Sequence, residues 1–334
     1  MKSFAASLAK PFYLFKKKAP LLYYIVGRLV VMAVMLFILG FAIFGLMALA
    51  PGDIVGQVML QGSEPGSNQP FYVQYFRWLR QVVVNHDLGL SLISRAPVTF
   101  LIGARLLNSL ILNAIELVLI TFFSFLLGVY FSAKAGTRID LAVTFFALAL
   151  HAFPGILLLI LLQLFASLTG LFPVTAYPQL LFSDDPGRFV FSYAHHVFLP
   201  LLAAFLGGIG GTLRMIRATM LDQLGQPYIT SLRSRGIAEW RIYLAHAFRN
   251  TLNPYITGSA NMLAGLFSGS LILEIIFAYP GIGRLMYEAV MQQDINLVLA
   301  NLMFISFLVL LGMLISDICL AVVDPRIRYG REGA

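Results

Sequence analysis

The sequence predicts an all-α integral membrane protein that crosses the bilayer six times. Of its 334 residues, 59% are hydrophobic and 11% are charged, and the mean hydropathy is +0.85. Soluble domains carry roughly 25% charged residues, so this composition indicates several membrane spans. Six apolar segments are long enough to cross a hydrocarbon core of roughly 30 Å as helices. They cover residues 29–50, 107–131, 139–168, 194–213, 254–278 and 297–323, within one transmembrane domain over 29–323.

The first apolar segment has some features of a secretory signal. Basic residues precede it, and Ala48-Leu49-Ala50 resembles a cleavage site. The apolar core of a signal sequence is about 7–15 residues long, however, and the apolar run from Leu29 to Ala50 is longer than that. We therefore expect a retained first span, preceded by a basic N-terminal extension over residues 1–28.

The long segment 51–106 is too polar to cross the bilayer, and we expect it to be extracytoplasmic. Aromatic residues cluster between Phe71 and Leu79 at a spacing typical of an amphipathic helix. Such clustering suits a helix at the membrane–water interface. A helix packed on the outer surface of the protein itself explains the pattern equally well, so both interpretations stay open.

The distribution of basic residues predicts the orientation of the chain. If the N-terminus is cytoplasmic, seventeen of the 23 lysines and arginines fall in the inside segments 1–28, 132–140, 214–253 and 324–334. Cytoplasmic loops carry such an excess, so we expect both termini, including the tail 324–334, on the cytoplasmic side. Topology therefore accounts for the net charge of +8, and no nucleic-acid partner is needed.

Two groups of helix-breaking residues lie within the predicted spans. His151 to Gly155 interrupts the third span, and the cluster Gly207 to Gly211 ends the fourth. Proline frees a backbone carbonyl that must find another partner in hydrocarbon, whereas glycines permit close helix approach. A functional kink at a translocation path and a simple packing kink are both consistent with these residues.

Ionisable residues also occur inside the spans, namely Glu116, His151, Glu274 and Asp317. Charged groups are costly in a bilayer and usually face a bundle interior or a wet path. One hypothesis is a proton or cation relay through Glu116 and His151. The alternative is that these side chains bond neighbouring helices or lie near the interface.

No motif for an enzyme or a bound cofactor is present. The sequence lacks a phosphate-binding G-x-x-x-x-G-K-[ST] loop, a G-x-S-x-G elbow and H-E-x-x-H. Its single cysteine, Cys319, excludes an internal disulfide, and no Cys/His metal spacing occurs. We expect no catalytic residue, metal or cofactor on this chain, so any energy source lies on another polypeptide.

The polar segment 214–253 is patterned to fold despite its charge. Pro227 suits the first turn of a short helix, and Gly236 suits its C-terminal cap. After the turn, apolar residues recur at helical spacing as a single stripe. The stripe consists of Trp240, Tyr243, Leu244 and Ala247. Docking to a soluble partner is the favoured interpretation, and a solvated connector without a partner is the alternative.

Several stretches together resemble a known family. They are LAPGD (49–53), YFRWL (75–79), DLGLSL (87–92), RAPV (95–98), LFPVTAY (171–177), RMIRATML (214–221), RSRG (233–236), HAFRNTLNP (246–254), EIIFAYPGIGRL (274–285) and DPRIRY (324–329). In this order they resemble the permease subunits of ATP-binding-cassette (ABC) importers of the dipeptide/oligopeptide type. The resemblance runs from about Arg28 to Tyr329.

The resemblance implies a type I importer (MetI-like) permease fold in a bacterial inner membrane. It also implies a permease that moves peptides, a peptide-like solute or a nickel chelate. The implied partners are a homologous second permease, two ATPase subunits that use ATP and magnesium, an extracytoplasmic solute-binding protein and membrane lipid. The loop around Gly236 would then be the coupling helix that fits into a cleft of an ATPase. The implied coupling residues are Ser231, Leu232, Arg233, Arg235, Gly236, Ile237, Glu239, Trp240 and Arg241.

The sequence departs from the family pattern at several positions. Thr230-Ser231-Leu232 replaces the usual Glu-Ala-Ala, and Pro227 replaces an acidic residue. His151 replaces a serine before the kinked segment, and Glu116 matches no family position. These departures bear on the solute more than on the class. As candidates for the translocation path we assign Glu116, His151, Pro154, Asn261 and Glu274.

Two other classes of function stay open from the sequence alone. A proton-coupled secondary transporter would use Glu116 and His151 and need no ATPase. A scaffold or receptor would bind partners but transport nothing.

Overall fold

A computed structural model of the chain describes residues 20–49, 70–180, 182–252 and 270–323, with Tyr255, Met262, Gly265 and Leu266. The extension before Pro20, the tail after Val323, Asn261 and most of the predicted fifth span lie outside these residues. The side chain of Asp317 is likewise outside the description.

The described residues form helices joined by turns, and the pairing of Leu90 with Pro97 is an isolated bridge. The helices are α1 (Pro20–Leu49), α2 (Phe71–Asn85), α3 (Val98–Ser132), α4 (Arg138–Ala152), α5 (Gly155–Thr169), α6 (Pro186–Leu224), α7 (Pro227–Ser234), α8 (Glu239–Arg241), a π-helical segment (Ile242–Ala247), α9 (Phe248–Thr251), α10 (Leu271–Ile276), α11 (Ile282–Met291) and α12 (Ile295–Val323).

Four helical stretches are long and apolar enough to cross a membrane, and α4 with α5 make a fifth if this bent pair counts as one span. The four are Leu22–Leu46, Val98–Ser132, Pro186–Leu224 and Ile295–Ser316. The protein is thus an all-α membrane protein, as predicted. The count of six is not confirmed, because the predicted fifth span falls mostly on residues that are not described.

The predicted third span is two helices that meet at an angle of 90°. Phe153 is extended, and Pro154 takes the N-cap position of α5. Proline has no N–H to donate to a preceding turn, so α4 ends before it and a new helix starts with the proline at its head. The interruption expected at His151–Gly155 is therefore present.

The prediction that Gly207–Gly211 breaks the helix at the end of the fourth span is wrong. The helix α6 runs without interruption from Pro186 to Leu224. A Cβ on Gly208 would meet Ile120 of α3, and one on Gly210 would meet the carbonyl oxygen of Ala147 of α4. The glycines hence permit close packing of α3 and α4 against α6, which favours the packing interpretation.

The chain divides into two compact units. The first comprises Met1–Ile102, Ser259–Ser268 and Ala289–Ala334, and its described core joins α1, α2 and α12. The hydroxyl of Tyr75 donates to the carbonyl of Phe37 at 2.9 Å, and a Cβ on Gly40 would lie 2.8 Å from the Tyr75 ring. The aromatic helix α2 therefore buries one face on the protein itself, the second of its two predicted placements.

The second unit comprises Gly103–Gly258 and Gly269–Glu288. Its core is formed by apolar side chains of α3, α5, α6 and the α10 region, among them Leu112, Leu159, Val197 and Phe277. Helix α4 packs along α6 through Ala147, Ile209 and Leu213. This unit also carries the predicted coupling segment.

Candidate functional site

The predicted coupling segment folds as two short helices, α7 and α8, that are linked by a tight turn. The π-helical segment and α9 follow directly. We call these four elements together, residues 227–251, the α7–α8 hairpin. Pro227 occupies the first turn of α7, as expected, because its fixed φ suits a helix start and its missing N–H would have had no partner there. All nine predicted coupling residues lie in this hairpin.

Gly236 closes α7 with a Schellman motif. Its φ is +74°, its N–H donates to the carbonyl of Arg233 at 2.9 Å, and the N–H of Ile237 donates to the carbonyl of Leu232 at 3.3 Å. These are the two bonds that define this C-terminal cap, and the left-handed conformation costs glycine nothing. The predicted capping function of Gly236 is therefore present in the structure.

An ion pair bridges the turn from one helix to the other. Arg233 donates from Nε to Oε1 of Glu239 at 2.8 Å and from a terminal nitrogen to Oε2 at 3.2 Å. The hydrogen bond from Arg233 lowers the pKa of Glu239 below its ordinary value. Both side chains are about half exposed, so the pair orients the turn more than it stabilises the protein.

The inner side of the hairpin is packed against the end of α6. Ile229 of α7 and Ile242 and Ala247 of the π-helical segment are buried. The hydroxyl of Thr251 donates to Sδ of Met220 in α6 at 3.1 Å, and the hydroxyl of Tyr228 donates to Oε1 of Gln223 in α6 at 3.2 Å. The hairpin and α6 are therefore joined through an apolar base with hydrogen bonds at its edge.

The outer side of the hairpin carries apolar residues that are not covered. Trp240 is 62% exposed and Leu244 is 55% exposed, and the guanidinium of Arg241 lies 5.3 Å from the centre of the Trp240 ring. The prediction that Trp240, Leu244 and Ala247 lie in one apolar stripe is thus wrong, because Ala247 is buried on the inner side. The buried residues are Ile242 and Ala247, five positions apart, because the segment is a π-helix with a wider turn than an α-helix.

The nine predicted coupling residues are either half-buried or exposed. Leu232 and Ile237 are half-buried. The others are exposed: Ser231, Arg233, Arg235, Gly236, Glu239, Trp240 and Arg241.

The path candidates Glu116 and His151 are not joined by a hydrogen bond in the described part of the chain. Glu116 is half-buried in α3, and His151 is exposed at the end of α4, where its ring lies 3.5 Å from the Cβ position of Gly211. Among the residues that the structure describes, neither side chain has a hydrogen-bond or ion-pair partner. Pro154 lies at the bend between α4 and α5, and Asn261 is outside the described residues.

Glu274 is fully buried and is held by specific donors. The hydroxyl of Ser109 in α3 donates to Oε1 at 2.7 Å, and the N–H of Arg284 donates to Oε2 at 2.9 Å. A Cβ on Gly281 would overlap the carboxylate, so glycine is needed there for the loop to close over it. This enclosure favours an architectural function for Glu274 over a place in an open path.

The loop that follows Glu274 is tied to several helices of its unit. Asn108 donates to the carbonyl of Pro280 at 2.9 Å, and Tyr279 donates to the carbonyl of Asn108 at 2.8 Å. Gln163 of α5 donates to the carbonyl of Ile276, and Tyr193 of α6 bonds the Tyr279 hydroxyl at 2.9 Å. The stretch 274–285 is therefore a structural junction.

A partly buried ion pair that the sequence did not predict joins α4 to α6. Arg217 donates two hydrogen bonds of 2.6 Å to the two carboxylate oxygens of Asp140, and Gly136 donates its N–H to the same carboxylate at 3.0 Å. Asp140 stands three residues after Thr137, whose hydroxyl caps the start of α4. That capping pattern was a usable signal in the sequence.

A second missed carboxylate, Asp294, organises the loop before α3 in the first unit. It is buried at the start of α12, accepts from the hydroxyl of Ser91, and accepts from the N–H groups of Leu92 at 3.1 Å and Leu297 at 3.2 Å. Aspartate directly before a long apolar helix is a common N-cap signal. Its partner stretch, DLGLSL, contributes to the family resemblance but does not by itself predict this contact.

Comparison with known proteins identifies the class. Residues 124–329 match the family model described as binding-protein-dependent transport system inner membrane component. The chain belongs to this family.

Relatives with printed functions agree with that assignment. The chain is 35% identical over 266 residues to the oligopeptide transport system permease protein AppB of Bacillus subtilis, which covers 79% of this chain and 83% of the relative. It is 31% identical over 269 residues to the inner membrane ABC transporter permease protein YejB of Escherichia coli O157:H7, covering 79% and 74%. It is 28% identical over 289 residues to the dipeptide transport system permease protein DppB of Escherichia coli K12, covering 80% and 84%.

The protein is accordingly an ABC permease of the dipeptide/oligopeptide type and is not an enzyme. It is a multi-pass protein of the inner membrane. Nothing in the described part of the structure or in these relatives favours the proton-coupled alternative.

Proposed function

We propose that this permease imports peptides or peptide-like solutes and that separate ATPase subunits drive it through the α7–α8 hairpin. The observation that carries the proposal is the division of the hairpin into a packed inner side on α6 and an exposed outer side with Trp240 and Leu244. Exposed large apolar side chains next to arginines are typical of protein docking sites. An anchored base allows a partner that binds the outer side to move α6.

The length of α6 and its contact with α4 give a route by which movement of the hairpin would reach the translocation path. Helix α6 has 39 residues, so at 1.5 Å per residue it reaches about 58 Å, longer than the hydrocarbon core. The ion pair of Asp140 with Arg217 fastens α4 to α6, and α4 leads into the bend at Pro154. Motion at the hairpin is thereby transmitted to the bent helix pair, which we assign to the translocation path.

The proposed transporter contains further subunits. The partners are a homologous second permease, two ATPases that use ATP and magnesium, and an extracytoplasmic solute-binding protein. The excess of basic residues in segments 1–28, 132–140, 214–253 and 324–334 supports cytoplasmic termini and a cytoplasmic hairpin. The relatives named for oligopeptides and dipeptides support a peptide solute over a nickel chelate.

One experiment separates the classes of function. The tagged chain is purified in mild detergent, the proteins that accompany it are identified, and the sample is reconstituted for uptake of labelled di- and oligopeptides or of nickel chelates. We expect two ATPases, a second permease and ATP-dependent peptide uptake. Uptake driven by a pH gradient without an ATPase would establish the proton-coupled alternative, and co-purification without any uptake would establish a scaffold.

A further inference from the structure

The hydroxyl of Tyr228 joins both ends of the α7–α8 hairpin to the end of α6. It donates to Oε1 of Gln223, in the last turn of α6, at 3.2 Å, and it accepts from the side-chain N–H of Asn250 in α9 at 3.1 Å. A phenol has one proton and two lone pairs, so one hydroxyl can make both bonds. Asn250 lies 22 residues after Tyr228, so the segments that enter and leave the hairpin meet at one oxygen atom.

The apolar base of the hairpin holds it on α6 without fixing its angle. The base consists of Met220 of α6 with Ile229, Ile242 and Ala247 of the hairpin, and all four are buried. Apolar burial is non-directional, so a hairpin that tilts slightly on this base keeps most of the same surface out of water. A hydrogen bond, in contrast, weakens steeply as its angle departs from linearity. A tilt is therefore resisted at the Tyr228 hydroxyl.

The backbone between α6 and α7 does not fix that angle either. Only Gly225 and Gln226 separate the two helices, and both donate hydrogen bonds back to carbonyl groups of α6. In the described part of the chain, one further side-chain hydrogen bond joins the hairpin to α6, from Thr251 to the sulfur of Met220. A thioether sulfur is a weak acceptor. The two bonds of Tyr228 are therefore the stronger restraint on the direction of α7.

We propose that Tyr228 is a positioning residue for ATP-driven transport, because its hydroxyl fixes the angle of the hairpin on α6. Movement of the hairpin by an ATPase then becomes movement of α6. The proposal rests on the function proposed above for the hairpin. Without the hydroxyl, the hairpin stays on its apolar base and still binds its partner, but it tilts when it is pushed. ATP is then hydrolysed without the full movement of α6.

The test compares Tyr228→Phe with Tyr130→Phe in the full transporter, purified with its accompanying subunits and reconstituted with labelled di- and oligopeptides. Tyr130 lies near the end of α3 and is 55% exposed, and its hydroxyl has no hydrogen-bond partner in the described part of the chain. We expect Tyr228→Phe to import about fivefold less peptide per ATP hydrolysed, the factor that corresponds to one neutral hydrogen bond. Tyr130→Phe should keep the wild-type ratio.

Two controls separate positioning from stability. The amount of bound ATPase and the melting temperature should be nearly the same in Tyr228→Phe and in the wild type, since the apolar base is intact. A wild-type ratio of peptide to ATP in Tyr228→Phe would overturn the proposal. So would an equal loss of uptake and of ATP hydrolysis, because that result indicates a damaged protein and not a tilting hairpin.

A double variant tests whether the bond to Asn250 acts through Tyr228. Asn250→Ala removes the donor and should also lower the ratio, and Asn250→Ala combined with Tyr228→Phe should match Tyr228→Phe alone. Residues that share one interaction have non-additive effects. Additive losses would show that the two side chains act independently, contrary to the proposal.

Spin labels measure the angle directly. One label is placed at Ala218→Cys on the exposed side of α6 and the other at Ala238→Cys in the turn, in a Cys319→Ser background. The distribution of distances between them should broaden in Tyr228→Phe and not in Tyr130→Phe. An unchanged distribution would contradict the proposal.

The same experiments distinguish this proposal from the function on which it rests. If the wild type shows no ATP-dependent uptake, both are wrong. If the wild type shows ATP-dependent uptake and Tyr228→Phe imports as much peptide per ATP, only the positioning function of Tyr228 is wrong.

Discussion

Arg217 of α6 donates hydrogen bonds of 2.6 Å to both carboxylate oxygens of Asp140 of α4, and the aspartate side chain is only 6% exposed. Helix α6 is joined to the hairpin at its C-terminal end, and α4 leads into the bend at Pro154. The ion pair therefore connects the hairpin to the two bent helices, α4 and α5. It is therefore suited to carry force from one to the other.

Removal of one partner of this pair should be costly. Asp140→Asn leaves Arg217, whose side chain is 25% exposed, without its counter-charge, and we expect a loss of about 1.5–3 kcal/mol in the free energy of unfolding. Thermal unfolding in detergent measures it. The matched control is Arg188→Gln, which breaks an exposed pair with Asp185 and should cost at most about 1 kcal/mol. Equal effects of the two changes would show that the Asp140 pair is not a stabilising contact.

Gly236 should be sensitive to backbone strain and tolerant of added bulk. Its Cβ position is open, with nothing within 4 Å, so only its φ of +74° restricts it. Gly236→Val should abolish solute-stimulated ATP hydrolysis by the assembled transporter, because a left-handed conformation costs a non-glycine residue about 1–2 kcal/mol and a β-branched one more.

Two matched variants complete that test. Gly236→Asn should retain most of the coupling, since asparagine tolerates this conformation, and Gly225→Ala should retain all of it, since the φ of Gly225 is −78°. Normal coupling in Gly236→Val would contradict the function proposed for the hairpin.

The ion pair of Arg233 with Glu239 should make the turn sensitive to acid. The pKa of Glu239 is lower in the folded protein than in the unfolded chain. The stabilisation of the turn by its carboxylate is therefore complete above the unfolded pKa of about 4.3, and it is lost as the pH falls through the folded-state pKa. A spin label at Ala238→Cys, in a Cys319→Ser background, should become more mobile as the pH falls through that range. With Glu239→Gln it should be mobile at every pH; a label indifferent to both changes would show that the pair does not order the turn.

Gly281 and Glu274 should behave as one structural unit. Gly281→Ala places a methyl group on the Glu274 carboxylate and should lower the melting temperature, whereas Gly155→Ala, with nothing within 4 Å of its Cβ position, should not. Glu274→Gln should cost about 1–3 kcal/mol, because Ser109 and the Arg284 N–H donate to different carboxylate oxygens and an NH2 group in place of one oxygen cannot accept. Unchanged stability with altered solute uptake in Glu274→Gln would instead place Glu274 in the path.

The class of the protein and the outline of the hairpin could be read from the sequence because both depend on local patterns. Apolar runs of membrane length, Pro227 at a helix start and Gly236 at a helix end each act within a few residues of themselves. The break at Pro154 is only partly of this kind, because proline removes a helix hydrogen bond locally, yet Pro200 lies inside α6 without ending it.

Contacts between distant residues were decided only by the tertiary structure. Nothing local indicates that Arg217 meets Asp140, that Ser109 donates to Glu274, or that Gly208 and Gly210 continue a helix instead of ending it. The π-helical turn after Trp240 likewise places Ala247 on the buried side with Ile242 and leaves Trp240 and Leu244 of the predicted stripe exposed. In each case the outcome depends on which helix packs alongside. In a sequence made mostly of apolar residues, many helix faces could pack against one another. The polar contacts and glycines that select one arrangement are therefore identified only from the packed helices.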